Sequence, residues 1–173
     1  MRLPDALERL KALELKMSEV YLWCSMHFED LELRQFFSDM ADEELAHARA
    51  LDNISRSPQA QMMEIELPED LPASIESNII DSYRSIKAHP DLESIFLALA
   101  EMESCEINRS FNSILSGAES HRLVQLDFLS LNTRRHILML VEQATKLGLP
   151  AAVCGKLSRI SVADQDYYRL FSR

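Results

Sequence analysis

Apolar residues recur along most of this chain at alternating steps of three and four, the spacing that turns one face of an α-helix toward a core. Over 3–28 the stripe reads Leu3, Leu7, Leu10, Glu14, Met17, Tyr21, Cys24 and Phe28. A second stripe, Phe36, Met40, Glu44, His47 and Leu51, follows a break at 29–31, so the two predicted helices fold back as an antiparallel hairpin. Asn53 to Pro72 is polar, contains Pro58 and Pro68, and is too long for a tight turn. It reads as a crossover. A shorter helix is predicted over 73–88 from Ile75, Ile79, Ile80, Tyr83 and Ile86, stopped by His89-Pro90. Two more long helices follow. The first carries Ile95, Leu99, Glu103, Glu106, Ser110 and Ile114 and ends at Gly117; the second carries Leu126, Leu129, Thr133, His136 and Leu140 and ends near Gly148. A short C-terminal helix is expected over 156–171.

A hairpin, a long crossover and a second hairpin is the connectivity of ferritin-like four-helix bundles rather than of up-down bundles with short loops throughout. The expectation is therefore an all-α fold in one domain over 1–173, with the bundle core at about 3–148. Composition agrees, because aromatic residues make up 7% of the chain and the three glycines, at 117, 148 and 155, all fall where the periodicity stops.

Stripes this regular should be apolar throughout, yet each of the four long helices interrupts its own stripe with polar residues near its middle. Glu14 lies about as far before the first interhelical turn as Glu44 lies after it, and Glu103 stands in the same relation to Thr133 and His136 around Gly117. The chain also repeats at an offset of 89 residues, which pairs Leu10 with Leu99, Glu14 with Glu103, Met40 with Leu129, His47 with His136 and Leu51 with Leu140. The Glu-to-His spacing is 33 in both halves. Two such hairpins packed about a pseudo-twofold axis are expected to place two ligand sets opposite each other.

The residue types explain what such a layer is for. A carboxylate buried without partners costs several kcal/mol or picks up a proton, and at least four are expected to cluster here. Cations remove that cost: carboxylates bridge or chelate them, and a neutral imidazole from each half adds a terminal nitrogen. In Glu44-Leu45-Ala46-His47 the i, i+3 spacing puts both groups on one helix face, and Glu103 with Glu106 does the same for two carboxylates. E-x-x-H alone is a weak signal, since Glu43 with His47 at i, i+4 offers an ordinary ion pair instead. The competing reading of the whole layer is a buried polar network without metal. His27, His89 and His121 lack motif partners, the methionines suit gap-filling, and the widely spaced Cys24, Cys105 and Cys154 suggest buried, reduced thiols.

With these residues in place, the sequence resembles the rubrerythrin and ferritin-like di-iron family over roughly residues 3 to 145. That family carries a Glu seven residues before a Tyr on its first helix, here Glu14 and Tyr21, and E-x-x-H on its second, here Glu44 and His47. Glu103 and Glu106 match its paired carboxylates on the third helix. Its fourth helix has another E-x-x-H, which reads Thr133-Arg134-Arg135-His136 here, so one expected carboxylate is missing. The resemblance implies two iron ions held by Glu14, Glu44, His47, Glu103, Glu106 and His136, with one iron, zinc or manganese as alternatives. It also implies a di-iron peroxidase or ferroxidase acting on peroxide, dioxygen or ferrous iron, with Tyr21 beside the ligands as the candidate catalytic side chain. Rubrerythrins often add a rubredoxin domain with C-x-x-C pairs, and this sequence has none, so an external electron donor is expected. The loss at Thr133 motivates a second expectation: a catalytically silent relative, with a mononuclear or empty site, used for assembly, sensing or partner binding.

A formal charge of −10 argues against nucleic acid or an anionic membrane as partner, because either needs a basic patch. The absence of a basic-then-apolar leader and of a long apolar run gives a cytoplasmic, non-membrane expectation. A homodimer is the expected assembly.

Overall fold

Pro4 in a first helical turn, an aspartate before Leu31 and a glycine after Lys146 each mark a helix boundary in the sequence, and the backbone honours all three. A computed structural model describes residues 2–64, 71–106 and 124–160, without the side chains at 71, 72, 74, 106, 124–131, 133 and 134. The described residues are helical almost throughout, with no strand among them: α1 (Leu3–His27), α2 (Leu31–Ser55), α3 (Pro58–Gln61), α4 (Leu71–Ala88), α5 (Leu92–Glu106) and α6 (Val124–Lys146), followed by helical residues 151–160. No helix among them is long and apolar enough to cross a membrane.

The chain divides into two compact units. The first contains α1, α2 and α3. Its α1 starts without a side-chain cap, but Leu3 donates its backbone N–H to the Met63 carbonyl at 2.9 Å, and an isolated antiparallel bridge joins Arg2 to Glu64. These contacts satisfy a helix-end donor and tie the chain beyond α3 back to the start of α1. After the three-residue turn at 28–30, Asp30 caps α2 by accepting from the Leu33 N–H at 2.9 Å. The two helices run antiparallel, as predicted. Moving toward the turn, Lys11 meets Asp52 at 2.7 Å, the Ser18 hydroxyl donates to the Ala41 carbonyl at 2.9 Å, and the Tyr21 ring faces Phe37.

The predicted α1 stripe is buried from Leu3 to Cys24, while Phe28 is half-buried. On α2 the core ring is Phe37 rather than Phe36. Both positions fit a step to Met40, but the phase that continues from Leu33 selects Phe37, and Phe36 packs against it edge-on at 5.2 Å. The crossover is shorter than the sequence suggested. Helix α2 continues to Ser55, Ser57 and Pro58 start the single turn of α3, and α4 begins at Leu71.

The second unit takes α4 from Ala73, α5, α6 from Leu126 and the helical residues 151–160. Asp91 caps α5 by accepting from the Ser94 N–H at 2.9 Å, and Ile95, Phe96, Leu99 and Met102 are buried along that helix. Helix α6 closes on a Schellman turn. Gly148 takes a φ of 68°, and the Leu149 N–H reaches back to the Ala144 carbonyl at 3.0 Å. The last described helix starts at 151 rather than 156, because the Pro150 carbonyl accepts from the Val153 and Cys154 N–H groups and opens the turn early. Gly117, Ser110, Ile114, His121 and the expected helix beyond 160 lie outside the described residues.

Candidate metal centre

Burial of the α1 and α2 stripes carries three titratable side chains into the interior of the first unit. Glu14 and Glu44 are 0% exposed and His47 is 2% exposed, whereas a solvated carboxylate normally stays in water. The i, i+3 step on α2 lets the His47 ring fold back over its own helix, leaving Nδ1 3.1 Å from a Glu44 oxygen. Across the hairpin the same nitrogen lies 3.5 Å from a Glu14 oxygen. That contact is electrostatic rather than a formed hydrogen bond, and neither Glu14 oxygen accepts a hydrogen bond from any described residue.

The charges in this cluster perturb one another. Burial, followed by the neighbouring Glu44 charge, pushes the Glu14 carboxyl well above the usual carboxylate range. Burial pulls the His47 imidazole down, but attraction to the Glu14 and Glu44 carboxylates, with the hydrogen bond to Glu44, outweighs it and pushes the ring up to about 10. At neutral pH the imidazole is therefore a cation. Its proton supplies part of the positive charge that the two carboxylates demand, and any metal entering the cluster has to displace it.

The second unit repeats the cross-helix contact. Glu103 on α5 and His136 on α6 are both 0% exposed, and His136 Nδ1 lies 3.4 Å from a Glu103 oxygen. Each unit thus brings the His Nδ1 of its later helix to the Glu of its earlier helix at nearly the same distance, as the 33-residue spacing predicts. Glu106 and Thr133 lie on the helical backbone of α5 and α6, but their side chains are outside the described residues. Tyr21 is fully buried two turns beyond Glu14 on the same stripe.

Two features of the first unit escaped the sequence reading. The Lys11–Asp52 ion pair joins polar positions that carry no motif. The ring cluster of Tyr21, Phe37, Phe28, His27 and Trp23 was visible only in part, through Tyr21 and Phe28 on the α1 stripe; Phe37, which precedes Glu44 by the same seven residues that separate Glu14 from Tyr21, could have signalled the rest. Of the three cysteines, only Cys24 is buried; Cys105 and Cys154 are half-buried. Burial pushes the Cys24 thiol up to about 12, which leaves it a poor nucleophile. No protein-family model, curated protein or solved structure matches this chain.

Proposed function

We propose that this chain is a rubrerythrin-like metal-binding protein with a ferritin-like helix arrangement, which uses iron to reduce peroxide or dioxygen or to oxidise ferrous iron. The observation that carries the reading is the Glu14–Glu44–His47 cluster: two fully buried carboxylates share one imidazole, and Glu14 accepts no hydrogen bond from any described residue. This donor set fits iron, which accepts hard carboxylate oxygens together with imidazole nitrogen. Zinc and manganese suit the same donors, so the choice of iron rests on the family resemblance.

In this reading Glu14, Glu44 and His47 hold one ion, and Glu103, Glu106 and His136 supply the second set. The 89-residue repeat supports treating the two sets as equivalent. Bound iron would supply one-electron redox steps to an oxygen–oxygen bond. The protein's own contribution is charge and exclusion: the carboxylates offset the positive charge, His47 gives up its Nδ1 proton on loading, and the apolar residues around the cluster keep bulk water out.

A second reading, that of a silent relative with one ion or none, is favoured by Thr133, which stands where the resemblance expects a carboxylate. Elemental analysis of protein purified from its native host without added metal tests the first reading, with about two iron per chain expected on the stoichiometry of the resembled family. Protein that carries no iron, and takes up none under anaerobic ferrous loading, overturns it. Thr133→Glu separates the two readings. A large gain in bound metal identifies the natural protein as degenerate, whereas no gain means that Glu106 already fills the role.

A further inference from the structure

Two turns from the buried carboxylates, toward the α1–α2 turn, both helices of the first unit place an aromatic ring. Tyr21 follows Glu14 by seven residues and Phe37 precedes Glu44 by seven, roughly 10 Å along each helix axis. Both rings are fully buried and their centroids lie 6.5 Å apart. The rings then continue without a gap. Phe28 stacks on Phe37 at 5.7 Å, His27 meets Phe28 edge-on at 5.3 Å, and Trp23 stacks on His27 at 4.8 Å with an interplanar angle of 14°. His27 is exposed, and half-buried Trp23 is the single tryptophan of the chain.

Apolar packing accounts for a ring cluster at the end of a hairpin. It does not call for contact that is unbroken from interior to surface, nor for a line that has a phenol at its buried end and an indole at its outer end. Those are the two side chains of the line that give up an electron most readily. We propose that this line carries single electrons between the Glu14–Glu44–His47 cluster and the surface, with Trp23 as the terminal electron source. The proposal rests on the reading that the cluster holds iron and meets peroxide.

The line matters most when only one ion is loaded, the case that Thr133 raises. Peroxide takes up two electrons and two protons to give two waters. A single bound ferrous ion would supply one electron, and the Trp23 indole gives the second through His27, Phe28, Phe37 and Tyr21. The indole N–H releases its proton to water at the half-exposed ring, a second proton comes from solvent, and Trp23 is left as a neutral radical. A soluble one-electron reductant of the thiol or ascorbate class restores it.

Freeze-quench electron paramagnetic resonance on iron-loaded protein mixed with peroxide reads this directly. A radical is expected whose hyperfine pattern narrows with indole-deuterated tryptophan and which is absent in Trp23→Phe. Phe37→Leu, with the half-buried Phe28→Leu as a gentler break, should lower its yield several-fold while the iron content stays unchanged. A radical indifferent to Trp23→Phe and to both line breaks overturns the proposal. A second arm needs no iron. In metal-free protein carrying Tyr21→3-aminotyrosine, oxidation of Trp23 by tris(bipyridine)ruthenium(III), generated by a flash in the presence of a hexaammineruthenium(III) electron acceptor, should be followed by radical transfer to position 21, slowed by Phe28→Leu. A radical that stays on Trp23 sinks the relay whatever the cluster binds. Transfer in this arm, with protein that takes up no iron in the first, supports the ring line and overturns only the iron reading.

Discussion

The α1–α2 pair and the α5–α6 pair are built on the same cross-helix contact, an imidazole Nδ1 3.5 Å from a glutamate oxygen in one and 3.4 Å in the other. They differ in what surrounds the imidazole. His47 has a second carboxylate, Glu44, at 3.1 Å from one turn earlier on its own helix, whereas the position three before His136 is Thr133. A protonated His47 can balance only one of its two carboxylates, and the raised Glu14 carboxyl reflects the charge left unmet in the interior. For His136 the described contact is with the single carboxylate of Glu103. The described contacts give the first pair two carboxylates for one imidazole, which makes it the stronger candidate metal site of the two.

The most forceful way to break this comparison is to remove each imidazole in turn. His47→Ala is expected to weaken metal binding by about a hundredfold or more, roughly 2.7 kcal/mol, and His136→Ala by about tenfold. Calorimetric titration with ferrous ion under anaerobic conditions measures both. Equal losses would mean that the two pairs contribute alike and that the charge argument fails.

Glu14→Gln should separate binding from stability. The raised Glu14 carboxyl marks an ionised group that the fold disfavours, so a neutral amide of the same shape relieves the metal-free protein while depriving it of a ligand. Metal-free Glu14→Gln is expected to be more stable, with Tm rising by about 2–4 °C for each kcal/mol gained in a chain of this size. Scanning calorimetry checks it. A lower Tm would show that the carboxylate stabilises the hairpin through His47 rather than straining it.

Much of this was legible in the sequence because burial and chemistry share one periodicity. The steps of three and four that placed Leu10, Met17 and Tyr21 in the core also placed Glu14 there, and the polar intrusions announced themselves against an apolar stripe. The core ring on α2 was not legible, since Phe36 and Phe37 both satisfy a step to Met40 and only the phase from Leu33 decides. The start of the last described helix at 151 was missed for a related reason. Pro150 both ends one segment and pre-sets the backbone of the next, and stripe reading registers only the first effect. The Lys11–Asp52 pair follows from the register of two helices, which no single stripe contains.

The third prediction concerns pH. Because Glu14 and Glu44 hold the His47 imidazole up at about 10, the metal-free cluster gains stability from that proton, fully present below the ordinary 6.5 and lost as pH rises through about 10. Metal competes for the same nitrogen. Affinity should therefore climb with pH between about 6.5 and 10, by up to about tenfold per unit for each proton released. His47→Ala should flatten that slope, and His136→Ala should leave most of it in place. Titrations in buffers of different ionisation enthalpy count the protons released.

The smallest expected effect serves as the control for the others. Asp52 and Lys11 join α1 to α2 at 2.7 Å, on the same hairpin as the cluster but near its opposite pole from the turn. The Lys11 ammonium holds the Asp52 carboxyl below its ordinary 3.8, and Asp52, with Glu8, raises the Lys11 ammonium above its ordinary 10.5. The carboxylate's contribution is present above 3.8 and fades as pH falls through its lowered value; the ammonium's is present below 10.5 and fades as pH rises through its raised one. Between those limits the pair is steady, and at a solvent-screened site it is weak. Asp52→Asn should thus lower Tm slightly, lose most of its effect at high salt, and leave metal affinity and its pH slope unchanged. If loosening the hairpin at this point also weakened metal binding, the losses in His47→Ala and Glu14→Gln could no longer be ascribed to the ligands themselves. Metal binding by Asp52→Asn at natural affinity ties those losses to the cluster's charge.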